Sequence, residues 1–253
     1  MARSKMMGAG LLPNVGGGGS LTWETYMTSL APASWHRYRD SATPALNAGS
    51  LGSALDMTAT NTTFAQTGKL GAGEAISLNG TTSLLTAANN ATLAGYTTWE
   101  WVFLINPTSA GEATAAWLAG WGTGLAAEGY FMRFNAATTA IKISLFNTLG
   151  SGFVTDTNTG IATSAWSLLF FSFDNAGDRK MHVYKGVSGA VSELGYSAQP
   201  AMTGTYRAPA AALNLYNDGS TARTFSGLSD EDATFNMNLT PTQRTQLCVL
   251  AGV

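Results

Sequence analysis

The feature that most limits what this chain can fold into is a succession of strand-length apolar segments, each closed by turn chemistry, with little 3.6-residue periodicity before the C-terminus. Residues 98–105 and 166–173 are continuous runs of aromatic and branched side chains, the pattern of strands covered on both faces. Other segments alternate. Tyr130, Met132 and Phe134 fall on one face, as do Ile141, Ile143 and Leu145, and Leu213 with Leu215. Asn79-Gly80 predicts a hairpin between residues 75–78 and 83–85, because both central residues of a type I′ turn need positive φ. Asp174-Asn175-Ala176-Gly177-Asp178 predicts a second hairpin, joining 166–173 to 180–184. One helix is expected, at the end: Thr240-Pro241-Thr242-Gln243 is a capping box with proline at the first helical position, and Leu247 and Leu250 follow at helical spacing. Strand-and-turn units repeating every 8–12 residues or so predict an all-β sandwich or jelly roll rather than an αβ alternation.

Residues 1–20 stand apart from this pattern. A short basic and apolar start with Arg3, Lys5, Met6, Met7, Leu11 and Leu12 leads into a glycine run at 16–19, which has the composition of a flexible tether. The expected organisation is an extended attachment arm over 1–20 and one sandwich domain over 21–253. The segment 6–12 is broken by Gly8 and Gly10 and stopped by Pro13, so it lacks the apolar centre of a signal peptide, and no Sec export is expected. The apolar runs are far shorter than the ~20 residues that cross a bilayer, so no membrane insertion is expected.

Composition narrows the partners. Thirteen Lys and Arg against fifteen Asp and Glu give a net charge of −2, leaving no cationic excess for a phosphate backbone, so nucleic acid is excluded. Charged residues make up 11% of the chain, against roughly 25% in an average globular protein. The surface must therefore be built largely from Thr, Ser, Asn, Gly and Ala. The lone cysteine, Cys248, cannot form an intramolecular bridge and is expected as a free core thiol, in keeping with synthesis in a reducing cytoplasm.

Several segments, taken in order, resemble the laminin-G-like or concanavalin A-like jelly-roll family. Pro32-Ala33-Ser34-Trp35-His36-Arg37-Tyr38-Arg39-Asp40 is similar to its first-strand pattern, and Gly73-Glu74-Ala75-Ile76-Ser77-Leu78-Asn79-Gly80 to its strand ending in a small-residue hairpin. Residues 98–107 resemble its long central strand ending in Asn-Pro. Residues 166–174 with Met181-His182-Val183-Tyr184-Lys185-Gly186 resemble its Trp-initiated strand and following hairpin. Phe225-Ser226-Gly227-Leu228-Ser229-Asp230-Glu231, running into Leu239-Thr240-Pro241, is similar to its last strand and closing capped helix. The resemblance implies a concanavalin A-like jelly-roll β-sandwich with one short C-terminal helix, of the kind found in bacteriophage decoration or tail-accessory proteins. Such a fold carries lectins, glycosidases and inert structural modules alike.

Hydrolytic chemistry finds little support. Glycosidases need two carboxyls about 5–10 Å apart, and the family's glucanases place them on one strand as Glu-x-Asp-x-x-Glu, a spacing this chain lacks. Glu100 has no carboxylate neighbour in sequence, and the one cluster, Asp230-Glu231-Asp232, lies on the strand that the resemblance assigns to structure, with Asp230 and Asp232 expected on one face. His36 and His182 are far apart, without Cys or carboxylates at zinc-ligand spacing, so neither a metal centre nor a Ser-His-Asp site is expected. His182 is expected on the solvent face of its strand. Lectins of this fold often hold Ca²⁺, and Asp174, Asn175, Asp178, Asn217 and Asp218 carry suitable oxygens, but Asp/Asn-Gly turns account for each without a metal. No cofactor is expected. Seven Trp and eight Tyr leave room for sugar stacking, with Trp117 and Trp121 the candidates and core packing the alternative for both; Trp35, Trp99, Trp101 and Trp166 are expected in the core.

These features lead to a non-enzymatic virion structural protein, made in the host cytoplasm and anchored through its arm to other virion proteins, major capsid or tail, in many symmetric copies. A capsid decoration role is the first expectation. The second is a carbohydrate-binding adhesion module on a phage tail or fibre that meets a host-surface glycan, and a glycoside hydrolase is the third.

Overall fold

The computed structural model describes residues 21–108, 116–122, 130–134, 140–146, 152–206, 208–219 and 223–253; the expected arm, with Arg3, Lys5, Met6, Met7, Leu11 and Leu12, lies outside them. Two antiparallel sheets face each other. Sheet I runs β13 (Ala190–Glu193), β12 (Met181–Val187), β11 (Ser167–Asp174), β6 (Thr98–Pro107), β16 (Ser226–Phe235), β4 (Ala75–Asn79) and β3 (Thr62–Gln66), and β1 (Ser34–His36) adds to it by pairing with β16. Sheet II runs β14 (Tyr196–Ala198), β10 (Gly152–Gly160), β9 (Ala140–Phe146), β8 (Tyr130–Phe134), β7 (Trp117–Trp121), β15 (Leu213–Leu215), β5 (Leu84–Ala87) and β2 (Thr58–Thr60). The expected jelly-roll sandwich is the observed fold.

The continuous apolar strands are central, as their composition requires. β11 pairs with β6 along its whole length, from Ser167 opposite Ile105 to Asp174 opposite Thr98. Their inward side chains, Trp101, Phe103, Ile105, Leu169, Phe171 and Phe173, join Tyr130, Met132, Phe134, Leu213 and Leu215 of sheet II in the main core. Their outward side chains, Val102, Leu104, Leu168 and Phe170, form a second apolar layer. That layer is sealed by α1 (Trp23–Leu30) and α3 (Pro241–Ala251), which contribute Trp23, Met27, Leu30, Leu247 and Cys248.

α3 has the expected capping box, with Thr240 and Gln243 each accepting or donating across the first turn, and Gly252 closes it at φ 65°. Cys248 is a free, buried thiol. α1 is a correction to the expectation of a single helix. Its cap is Thr22 with Thr25 at the third helical position, a shorter reciprocal pair than the usual Ser/Thr with Glu/Gln, and its apolar face is Trp23, Met27 and Leu30. A single turn, α2 (Ala91–Ala94), is capped by Asn90.

The Asn79-Gly80 turn forms, but it does not make the expected hairpin. Gly80 has φ 72°, and the Asn79 Oδ1 accepts from the amides of Thr81, Thr82 and Ser83. This side-chain bonding turns the chain across the sandwich, so β4 pairs with β3 and β16 in sheet I while β5 pairs with β2 and β15 in sheet II. The Asp174–Asp178 turn does make its hairpin, with Phe173 opposite Met181.

Candidate functional site

Trp117 and Trp121, sugar-stacking candidates with core packing as the alternative, are both fully buried and lie on opposite faces of sheet II. Trp121 meets Trp101 and Tyr130 edge-on in the main core. A bulge between residues 117 and 119 turns Trp117 to the outer face, where it stacks on Phe131 with centroids 4.8 Å apart. Neither indole offers a free face, so neither is an open sugar platform; the bulge explains why residues four apart on one strand part company.

The carboxylate trio is buried and bonded to neighbouring segments. A second bulge between Ser229 and Glu231 breaks the expected alternation of Asp230 and Asp232. Asp232 accepts from Tyr38 and lies 2.9 Å from the Nδ1 of His36, whose Nε2 is 2.8 Å from the Leu55 carbonyl. Burial alone would push the His36 imidazole down, but the Asp232 carboxylate and the Leu55 carbonyl hold it above the usual range. Glu231 receives the indole N–H of Trp23 and of Trp35, the latter at 2.6 Å, and burial pushes its carboxyl up to about 8 against those two bonds. Asp230 accepts from the Leu70 amide at 2.7 Å, and burial pushes it up to about 7. Each of the three carboxylates thus ties a neighbouring segment to β16, while the Oδ1 of Asp230 and the Oε1 of Glu231 are buried without a hydrogen-bond partner. Glu100, at the centre of β6, is closed off in the same way by Arg244 and the Leu239 amide.

Asp174, Asp178 and Asn217 are bonded within or beside their turns, whereas the Oδ1 of Asn175 is buried without a hydrogen-bond partner. Asp174 Oδ1 accepts from Thr98 and the Ala176 amide, Asp178 accepts from the Lys180 amide and meets Nε2 of His182, and Asn217 accepts from the Gly219 amide. Among the described residues no group of three or more His, Cys, Asp and Glu side chains is arranged to hold a metal ion. His182, half-buried on β12, lies between Asp178 and Glu193 at 2.9 and 2.6 Å. A cleft of about 350 Å³ opens beside the start of α1, lined by Leu21, Trp23, Leu70 and Leu250 with Glu24, Arg39 and Glu74.

A different surface gathers groups that sequence reading did not connect. Cross-strand pairing lays two rows over the outer face of sheet II. One joins Thr58, Thr86, Asn214, Gly120 and Phe131; the other joins Trp117 to Arg133, with Lys142 and Asp156 next in register. The first row depends on Gly120. A Cβ there would collide with the Trp117 ring and sit 2.6 Å from the Phe131 Cβ, so only glycine lets the indole lie down against the sheet. Trp117 is fixed further by its backbone amide on the Arg223 carbonyl and its indole N–H on the Asn214 carbonyl.

Arg133, partly exposed, lies over the Phe131 ring at 5.6 Å, and its Nε is buried without a hydrogen-bond partner. Arg223 donates from Nη1 to Asp218 at 2.8 Å, and its own Nε is likewise without a partner. Burial pushes the Arg133 guanidinium down, the nearby charge of Arg223 pushes the same way, and Asp156 opposes them. The outer face of sheet I, by contrast, is closed by α1 and α3. Aromatic support, partly exposed donors and a glycine-flattened floor make the outer face of sheet II the candidate binding surface. A signal for it was present only in part: the alternation in residues 130–134 marks Arg133 as outward, but nothing local links it to Arg223.

No family model and no curated protein matches the sequence. Solved structures do share the fold. Domain 4 of AbnA, a GH43 extracellular arabinanase from Geobacillus stearothermophilus solved with arabinotriose, matches with a TM-score of 0.59 and 18% identity over 86% of this chain and 98% of that one. The botulinum neurotoxin serotype D ligand binding domain, solved with N-acetylneuraminic acid, matches with a TM-score of 0.63 and 10% identity over 88% of this chain, and the type G receptor binding domain with 0.59 and 11% over 87%. This chain spans about half the length of those two neurotoxin chains. The likeness is one of fold: a concanavalin A-like jelly roll.

Proposed function

We propose that this chain is a carbohydrate-binding module whose ligand lies across the outer face of sheet II. The observation that carries the reading is the asymmetry between the two outer faces. Helices seal sheet I, whereas on sheet II, among the described residues, the two rows leave Thr58 exposed and Thr86 and Arg133 partly exposed beside the buried Trp117–Phe131 stack. Hydroxyl and guanidinium groups set in rows along a sheet suit the hydroxyl edges of sugars. The likeness to domains solved with arabinotriose and with N-acetylneuraminic acid supports the same class of ligand. Binding needs no catalysis, and the buried, paired state of Glu100 and Asp232 fits a non-enzymatic module.

The experiment is a blocking one. Thr86→Cys carrying a bulky maleimide adduct should abolish retention of the intact chain on a glycan array, while the same adduct at Val249→Cys, exposed on α3, should leave it unchanged. Equal retention with both adducts would refute this face as the site.

A second reading, display of the module on a phage particle by residues 1–20, is favoured by the cleft at Leu21. Its Leu21, Leu70 and Leu250 match the Met and Leu residues of the arm, while Glu24 and Glu74 are already paired with Arg37 and Arg39, so one copy's arm and a neighbour's cleft would suit each other through apolar contact in a multi-copy assembly. Deleting residues 1–20 should leave a folded domain that no longer assembles; unchanged assembly would refute the arm's role.

A further inference from the structure

His182 lies on the outward side of β12, between Met181 and Val183 of the main core, and each of its ring nitrogens meets a carboxylate. Nδ1 is 2.6 Å from Oε1 of Glu193 on β13, and Nε2 is 2.9 Å from Oδ2 of Asp178 in the turn before β12. A carboxylate only accepts, and a neutral imidazole has one N–H and one bare nitrogen, so both contacts are hydrogen bonds only when the ring carries two protons. Without the second proton, a nitrogen lone pair faces a carboxylate oxygen, and two negative charges converge on a neutral ring.

The Glu193 end carries the arrangement to the other sheet. The same Oε1 accepts from the Tyr196 hydroxyl at 2.8 Å, whose oxygen accepts from the Val183 amide at 2.7 Å. Tyr196 begins β14, the edge strand of sheet II, which is held to β10 by Tyr196 opposite Thr157 and beside it by the Asn158 amide on the Gly195 carbonyl at 2.9 Å. One ring therefore straps the Asp178 turn, the edge strand of sheet I and the edge strand of sheet II. The other charged and titratable groups nearby are placed as follows. Burial pushes the Asp178 carboxyl up, but the Lys180 amide, the His182 ring and the Lys180 charge hold it below the usual range. Burial pushes the Tyr196 phenol up, so it stays a donor. Tyr184 stacks on the imidazole at 6.3 Å, Arg179 donates to the Gly204 carbonyl, and beyond Ser172, which pairs with His182, Glu100 is closed on Arg244.

We propose that His182 is a proton-operated clamp: doubly protonated it holds the Asp178 turn, Glu193 and, through Glu193, β14 together, and loss of one proton frees the β13–β14 corner while the sheets stay packed. Closing binds one proton, so the clamp is complete at acid pH and is lost as pH rises through the imidazole titration. The clamp is independent of what the outer face of sheet II binds.

The test is amide hydrogen exchange of the intact chain by NMR from about pH 5 to pH 9, expressed as protection relative to the intrinsic rate at each pH, with the His182 ring signals followed in parallel. Protection of the Val183 and Asn158 amides should fall about tenfold or more beyond any fall in β6 and β11, with the midpoint of the His182 ring. His182→Gln, which keeps a donor but cannot titrate, should hold both amides at low protection throughout, and Glu193→Gln, which leaves Tyr196 an acceptor, should shrink the step. Far-ultraviolet circular dichroism should match the parent for both variants. Protection of Val183 and Asn158 that falls no further than that of β6 and β11, or a step that persists in His182→Gln, would overturn the clamp.

Discussion

Arg244 of α3 and Glu100 of β6 form a two-point ion pair closed to solvent, with Nε donating to Oε1 at 2.8 Å and Nη2 to Oε2 at 2.6 Å. The guanidinium also lies over the Tyr184 ring at 3.9 Å. The pair pins the helical layer to the centre of sheet I, and it removes Glu100 from any chemistry at the surface. Removing one member leaves a buried charge alone, so Arg244→Ala should cost about 3–5 kcal/mol. The double variant Glu100→Leu, Arg244→Met, which leaves no charge behind, should recover most of that loss. Urea denaturation of the three proteins decides it; a loss under 1 kcal/mol or so for Arg244→Ala would mean that solvent reaches the pair.

Stability should fall as pH rises from mild acid. The Glu231 carboxyl is raised by burial to about 8 and Asp230 to about 7, so the fold favours their protonated forms. Their contribution is fully present below the ordinary carboxylate range and is lost as pH climbs through 7 and 8. His36, raised above its usual value, acts with the same sign. Glu231→Gln keeps an oxygen for the Trp23 and Trp35 indoles without the charge, so it should flatten the decline between pH 5 and pH 9. Parallel curves for the two proteins in denaturant titrations would contradict this account of Glu231.

Gly120→Ala should disturb the outer face selectively. The new methyl occupies the space of the Trp117 ring and must displace it from Phe131, at a cost of about 1–3 kcal/mol for overpacking. Near-ultraviolet circular dichroism should change while the far-ultraviolet signal of the sandwich persists. Unchanged aromatic signals would mean the indole does not rest on this glycine.

Asn79→Ala should weaken the crossing from sheet I to sheet II. Three amides lose their acceptor at once; those of Thr81 and Thr82 are exposed and can turn to water, but the partly buried Ser83 donor is left unpaired, at a cost of about 1 kcal/mol. Asn79→Asp, which keeps the acceptor, should retain most of the stability in the same thermal melts; an equal loss for both would assign the effect to something other than these bonds.

How far the sequence could be read depended on whether the deciding force was local. The β6 and β11 runs and the α3 capping box act within a few residues, and all lie where their patterns placed them. The Asn79-Gly80 turn was visible, but a hairpin and a crossing begin with the same turn, and only the faces that β4 and β5 bury decide between them. Trp117 and Trp121 took the core alternative, but their opposite faces, like the parting of Asp230 and Asp232, were hidden because one inserted residue reverses a strand's alternation and bulges have no local signature here. Arg133 and Arg223 meet only through the β7–β8 pairing and the return of residue 223 to Trp117, contacts between segments far apart in sequence.

The central claim is that the outer face of sheet II binds carbohydrate. Its most direct measurement is the amide chemical-shift response of the intact chain to a titrated oligosaccharide selected by array retention. The account predicts saturable shifts concentrated at Thr86, Gly120, Phe131, Arg133 and Asn214, with α1 and α3 unaffected. Saturable shifts centred on α1 or α3, or no response to any sugar at millimolar concentration, would contradict it.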